Sequence, residues 1–291
     1  MNRYRLVTKT LRDTRTATLA IAATCFAMAA FTAALYPAFA DSFKDVELPG
    51  FYDSFSGGLD ITTPEGFLNT EFFSWIPLLL ITLAIIAGTG TLAGEENSGG
   101  MDLLLAQPVT RRSVVLQKAL GASLAIVFAI VVSLPGIFLA ALFVDFDVHW
   151  AKLIFATLNM APLALVYLGI SMWAAAALPT RGAAVVVAVG LAVVPFLLNT
   201  VLAAASIGEI FQKLTPFYWG EATEILKGNA RWQPAVVFLA LYVAFVGLAV
   251  LSFERRDIDV GGWSPISWLR RRFVAEGRAE APSEQREAEA R

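Results

Sequence analysis

Six apolar stretches set the terms for any fold of this chain. They run approximately over 17–40, 72–94, 115–143, 153–178, 183–206 and 234–253, and none carries an ionisable side chain away from its ends. A hydrocarbon core about 30 Å thick takes roughly 20 helical residues to cross, so each stretch is long enough to span it. A helix packed in a water-soluble protein shows a polar face at every turn, and these do not. Composition agrees, because 57% hydrophobic and 16% charged residues with a mean hydropathy of +0.65 exclude an ordinary soluble domain. The expectation is an all-α membrane protein with six transmembrane helices.

Basic residues orient the spans. Arg3, Arg5, Lys9, Arg12 and Arg15 precede the first, and Arg255, Arg256, Arg270, Arg271 and Arg272 follow the last. An even number of spans puts both termini on one side, so both are expected in the cytoplasm. The connection 41–71 holds Asp41, Asp45, Glu47, Asp53, Asp60, Glu65 and Glu71 against Lys44 alone, as an exported loop should. Arg111, Arg112 and Lys118 return the chain to the cytoplasmic side, and Arg181 does the same between spans four and five.

Three regions flank or interrupt this six-span domain at 17–253. Residues 1–16 place Tyr4, Val7 and Leu11 at helical spacing among basic residues, which describes an amphipathic helix on the inner membrane surface or, equally, a basic tail. The external segment 207–233 mixes aromatic with charged residues and is divided by Pro216, so two short helices at the outer interface are expected. The cytoplasmic tail 254–291 ends in VAEGRAEAPSEQREAEAR, which lacks the apolar residues of a core and is expected to be disordered.

Individual residues are less telling. Ala38-Phe39-Ala40 resembles a signal-peptidase site, but the apolar run before it is a full span rather than a short signal core. Cys25 is the only cysteine and lies inside the first span, where packing is its expected role. Asp145, Asp147 and His149 share a short external turn that reads as solvated rather than metal-binding. Pro77, Pro135, Pro162 and Pro195 fall inside spans and permit bends. Gly90 and Gly94 form a GxxxG pair that allows helices to approach closely. Asn159 and Asn199 are expected to hydrogen-bond between helices rather than to meet substrate.

An ion-driven carrier usually places a charge at mid-membrane, and these spans show none. There is no phosphate-binding loop either: Gly88-Thr89-Gly90 sits within a span and lacks the lysine. Energy is therefore expected from another polypeptide at the cytoplasmic face. The stretch GEENSGGMDLLLAQPVTRR, 94–112, has the build of such a contact. Gly99 and Gly100 break the helix leaving span two. Asp102 opens a new turn, where its carboxylate opposes the helix dipole. Leu103, Leu104 and Leu105 cannot all share one face, Pro108 stops the short helix, and Thr110 caps the next. The expected result is a leucine-faced cytoplasmic knob.

This stretch resembles the permeases of the second class of ATP-binding-cassette transporters, the ABC-2 type. Glu95, Glu96, Gly99, Leu103, Leu104, Leu105, Pro108, Val109 and Arg111 match the family's pattern between spans two and three. Gly100, Met101, Asp102 and Thr110 stand where threonine, leucine, glutamate and serine are usual, and the first change removes a helix cap. Thr215-Pro216-Phe217 before the last span and Phe253-Glu254-Arg255-Arg256-Asp257 after it extend the resemblance over most of the chain. The resemblance implies a non-catalytic permease subunit of an exporter in the plasma (inner) membrane. It would dock a separate ATPase through a coupling region at 95–112 built on Glu95, Glu96, Gly99, Asp102, Leu103, Leu104, Leu105, Pro108 and Arg111. ATP and Mg would sit on that ATPase, with no cofactor on this chain. A second permease copy or paralogue and membrane lipid are the other expected partners, with no nucleic acid. The substrate is expected to be hydrophobic or amphipathic. A secondary carrier and a non-transport membrane scaffold are the alternatives.

Overall fold

A computed structural model describes residues 5–43, 56–94, 109–143, 146, 148–204, 212–220 and 222–255. Among them are six helical segments long and apolar enough to cross a membrane: Arg5–Ser42, Pro64–Ala93, Arg111–Ala141, Trp150–Ala177, Arg181–Val201 and Gln233–Arg255. No strand occurs among the described residues. Each predicted span corresponds to one of the six.

The first helix begins earlier than its hydropathy suggests. Arg5–Phe43 is one α-helix of 39 residues, about 58 Å long at 1.5 Å per residue, so the basic start continues the span without a break. The expected stripe also shifts. Val7, Thr10, Thr14, Thr18, Ala22, Cys25, Ala29 and Ala33 are buried, whereas Leu11 is exposed. Threonine suits a buried stripe here because its hydroxyl is satisfied within its own helix. Thr14 Oγ1 donates to the carbonyl of Thr10 at 2.8 Å, and Thr18 Oγ1 to that of Thr14 at 2.9 Å. The methyl group remains free to pack.

That stripe lies along the third span, and glycines set the spacing. A methyl added at Gly121 would stand 2.8 Å from Thr10 Cβ, and one at Gly136 would stand 2.4 Å from the carbonyl oxygen of Phe26. Residue numbers rise together along the contact, so the two spans run parallel. The same holds for the second and fourth spans, where a methyl at Gly88 would meet Ser171 Cβ at 2.6 Å. It holds again for the fourth and sixth, where Gly169 lies under Tyr242 and Phe245. The fourth span is central, packing against the second, third, fifth and sixth. In lipid such close backbone approach replaces hydrophobic association as the source of specificity. The tight glycine of the second span is thus Gly88 rather than the expected Gly90, whose added methyl would have Arg181 as its nearest neighbour, at 3.5 Å.

Two spans are interrupted. The second opens at Pro64, ahead of its predicted start, with Thr63 capping Gly66 N–H at 3.2 Å. It then passes through a π-helical turn Asn69–Phe73, an α-helix Ile76–Thr89 and a second π-helical turn Gly90–Gly94. The fourth divides at Asn159 into Trp150–Leu158 and Met160–Ala177. Pro77 and Pro162 consequently fall in the first turn of a helix, where the missing amide costs no hydrogen bond. Pro135 and Pro195 remain inside continuous helices.

Lys118 departs furthest from expectation. Read in the sequence as an orienting charge at the start of the third span, it lies about two turns into the third helix and is 1% exposed. Its Nζ donates to the carbonyl of Thr91, in the second π-helical turn. A π-turn leaves carbonyls outside the ordinary helical ladder, and this one receives a cation.

Candidate functional site

Alternation of the six spans gathers the connections at two ends. One end carries Arg5, Arg111, Arg181 and Arg255, and the other carries the segments 56–75 and 212–232.

At the basic end Thr110 begins the third helix as expected, its Oγ1 accepting from Ser113 N–H at 3.2 Å. Thr180 does the same for the fifth, accepting from Ala183 N–H at 3.2 Å. Arg111 is the one predicted coupling residue within the described chain. Its Nη1 donates to the carbonyls of Phe253 and Glu254 at 3.2 and 3.4 Å, and the guanidinium stands 6.0 Å from the centre of the Phe253 ring. Arginine's planar group suits both tasks, bonding carbonyls in its plane and presenting a face to an aromatic ring. Arg111 therefore closes the last carbonyls of the sixth helix, while Lys118 closes one on the second. Three spans meet at this end through two cations. Glu95, Glu96, Gly99, Asp102, Leu103, Leu104, Leu105 and Pro108 lie outside the described residues, as does the tail from 256 onward.

The opposite end is held by amide, hydroxyl and lysine side chains. Asn69, in the first π-helical turn, is buried and donates to the Ser56 carbonyl and to Thr223 Oγ1, both at 3.0 Å. Thr223 begins the second of two short helices, Pro216–Gly220 and Thr223–Leu226, the pair expected in 207–233. Lys227 Nζ donates to the Gly57 carbonyl at 2.6 Å, and Lys152 Nζ to that of Leu226 at 3.3 Å. His149 is exposed, with Nδ1 3.8 Å from Glu65 Oε1. Asp145 and Asp147 lie outside the described residues, and no metal-binding cluster of His, Cys, Asp or Glu occurs among the residues that are described.

Between the short helices and spans four to six lies a cavity of about 660 Å³. Asn159 and Asn199 both line it, together with Tyr218, Trp219, Lys213 and Arg231. The two asparagines thus meet at one chamber. Asn199 Oδ1 accepts from Thr215 Oγ1 at 2.9 Å, and Asn159 marks the break in the fourth span. Sequence reading missed Lys213 and Arg231, because ordinary surface charges and cavity-facing charges look alike until helix ends are placed. The two polar interruptions of otherwise apolar spans were the available signal.

With this geometry in view, the pattern that defines ABC-2 family transporter proteins matches residues 4–258, and the chain belongs to that family. No curated protein matches it. The chain is accordingly a multi-pass membrane protein and a permease subunit of an ABC transporter. Permeases of this family are normally non-catalytic and associate with an ABC ATPase subunit.

Proposed function

We propose that the chain is the permease of an ATP-driven exporter in the plasma (inner) membrane, moving a hydrophobic or amphipathic substrate outward. A separate ATPase holding ATP and Mg works against residues 95–112 on the cytoplasmic side, and two permease subunits share the transporter. The observation that supports this reading is the stitching of the basic end. Lys118 joins the third span to the second, and Arg111 joins it to the sixth, on the helix that directly follows 95–108. A displacement of that segment is delivered to three spans together rather than being absorbed by one.

The test places a charge on the leucine knob. Leu103, Leu104 and Leu105 are changed singly to Glu in the full chain, co-expressed with its ATPase. A carboxylate inserted in an apolar groove must be desolvated, which costs several kcal/mol if it is left unpaired. Interfaces concentrate their energy in few residues, so at least one variant inserts normally yet loses ATPase association or ATP-dependent export. If all three insert, bind and export like the parent, 95–112 is only a connector and energy enters by another route.

A further inference from the structure

The sixth span meets the short helix Pro216–Gly220 across a second cavity, of about 440 Å³. Among the described residues it is lined by Trp219 of that short helix, by Arg231, and by Gln233, Pro234, Val237 and Phe238 in the first turns of the span. Its volume falls within the range of small-molecule sites, about 300–1,000 Å³. Pro234, Val237 and Phe238 stand at i, i+3 and i+4, so one face of the helix forms a continuous apolar wall. Phe238 is 5% exposed and makes the floor, whereas Val237 is 55% exposed and marks the open side. Trp219 is the opposite wall. Its indole Nε1 donates to the Lys213 carbonyl at 2.8 Å, and its ring stands edge-on to that of Tyr218 at 5.4 Å, so the ring is fixed with its one donor already bonded.

The apolar wall does not stop at the cavity. Val237 is followed by Leu241, Ala244 and Leu248 at i+4, i+7 and i+11, and all four are exposed. From Pro234 to Leu248 this strip runs about 21 Å along the helix at 1.5 Å per residue, without a polar side chain. In a multi-pass membrane protein such a strip faces hydrocarbon, so the cavity is the widened end of a lipid-facing groove. The occupant follows from that continuity. A guest with polar groups along its length would leave them without partners between the Trp219 ring, Val237 and Phe238. A hydrocarbon chain has none to satisfy, and it gains close contact on two sides, contacts that are individually small and add up. Trp219, and Trp232 exposed between Arg231 and Gln233 in the sequence, suit headgroup depth, which places the polar end of such a chain at this mouth.

We infer that this cavity seats one acyl chain of a bilayer phospholipid, held between the Trp219 ring and the face formed by Pro234, Val237 and Phe238, with the rest of the chain along Leu241 and Leu248. The 660 Å³ cavity shares Trp219, Arg231 and Pro234 with this one, so the seated chain lies against the same indole that walls the larger chamber. The inference goes beyond the exporter reading and needs neither an ATPase nor a cargo.

The experiment uses the full chain alone, in nanodiscs of phosphatidylcholine doped with a phosphatidylcholine that carries a diazirine midway along one acyl chain. After photolysis the adducts are mapped by peptide mass spectrometry. Phe138 and Leu139 of the third span and Leu197 of the fifth, all exposed toward the same end, serve as controls. Adducts on 234–241 exceed those on the controls about fivefold, the ratio that a preference of roughly 1 kcal/mol produces. Val237→Trp fills the cavity and brings 234–241 down to the control level, while the controls label as in the parent and so report correct insertion. Trp219→Ala, on a different element, removes the opposite wall and has the same effect. Labelling of 234–241 no denser than the controls in the parent chain, or an enrichment that survives either variant, overturns the inference. Labelling below the controls overturns it too, because a second copy of this chain then covers the cavity. Each of these failures leaves the coupling role of 95–112 standing, since no ATPase takes part.

Discussion

The fourth and fifth spans differ in the opposite sense from their hydropathy. The fifth, Arg181–Val201, is the more apolar, yet 17% of its most apolar stretch is buried against 72% for the fourth, Trp150–Ala177. In water the greasier helix would be the core. Here lipid is as good a solvent for leucine as protein is, so apolar character decides which residues span and says little about which helix lies at the centre. The fourth span earns its position through small residues. Gly169 admits the sixth helix, Ser171 lies against Gly88 of the second, and Ala174, Ala175 and Ala176 are all buried. The fifth presents Val186, Val194, Leu197 and Val201 outward, each more than half exposed.

The largest effect should come from filling the central contact. A methyl at Gly169 already stands 2.9 Å from Phe245 Cβ and 3.2 Å from the Tyr242 carbonyl. Gly169→Leu forces the fourth and sixth helices apart, at a cost of about 3 kcal/mol. Thermal unfolding of the solubilised chain, followed by exposure of Cys25 to a thiol reagent, should shift down by many degrees. An unfolding temperature equal to the parent's would mean that the fourth span is not the packing centre.

These contrasts also mark what was legible beforehand. Six spans could be read because segment length and lack of charge are local properties of the chain. Both interrupted spans, by contrast, were read as continuous, because a π-helical turn such as Asn69–Phe73 or Gly90–Gly94 has no hydropathy signature of its own. The buried stripe of Thr10, Thr14 and Thr18 is not legible in the sequence, since the bonding of Thr14 and Thr18 to preceding carbonyls cannot be seen in composition. The burial of Lys118 is hidden for a related reason: its acceptor, the Thr91 carbonyl, arrives from another helix. At the candidate site, the cap at Thr110 could be read from the sequence, whereas the bonds of Arg111 to the Phe253 and Glu254 carbonyls and the cavity required distant helices to be placed together.

A subtler test of the central span is the phenol of Tyr167. The residue is 1% exposed and its ring lies 5.9 Å from that of Phe217, but its hydroxyl has no hydrogen-bond partner among the described residues. A buried hydroxyl without a partner is costly, and removing it while keeping the ring should help. Tyr167→Phe is expected to stabilise the chain by about 1 kcal/mol in the same unfolding measurement. A loss of stability would mean that the hydroxyl is held after all, and that polar bonding as well as small size fixes the fourth span.

The smallest effect is expected on the fifth span, and its smallness is informative. Gly190 lies in mid-helix, and a methyl added there would meet nothing within 4 Å. Alanine is the better helix former by up to about 1 kcal/mol in water, an advantage reduced in lipid where the backbone is already shielded from solvent. Gly190→Ala should therefore leave unfolding of the chain within about 0.5 kcal/mol of the parent. Gly190→Leu should behave alike, because the added side chain enters lipid rather than a neighbouring helix. Paired measurements on Gly169→Leu and Gly190→Leu thus compare one substitution at a packed and an open glycine. If the two variants lose equal stability, the fifth span is packed against something beyond this chain, a second permease copy being the partner expected, and its exposure belongs to the isolated subunit alone.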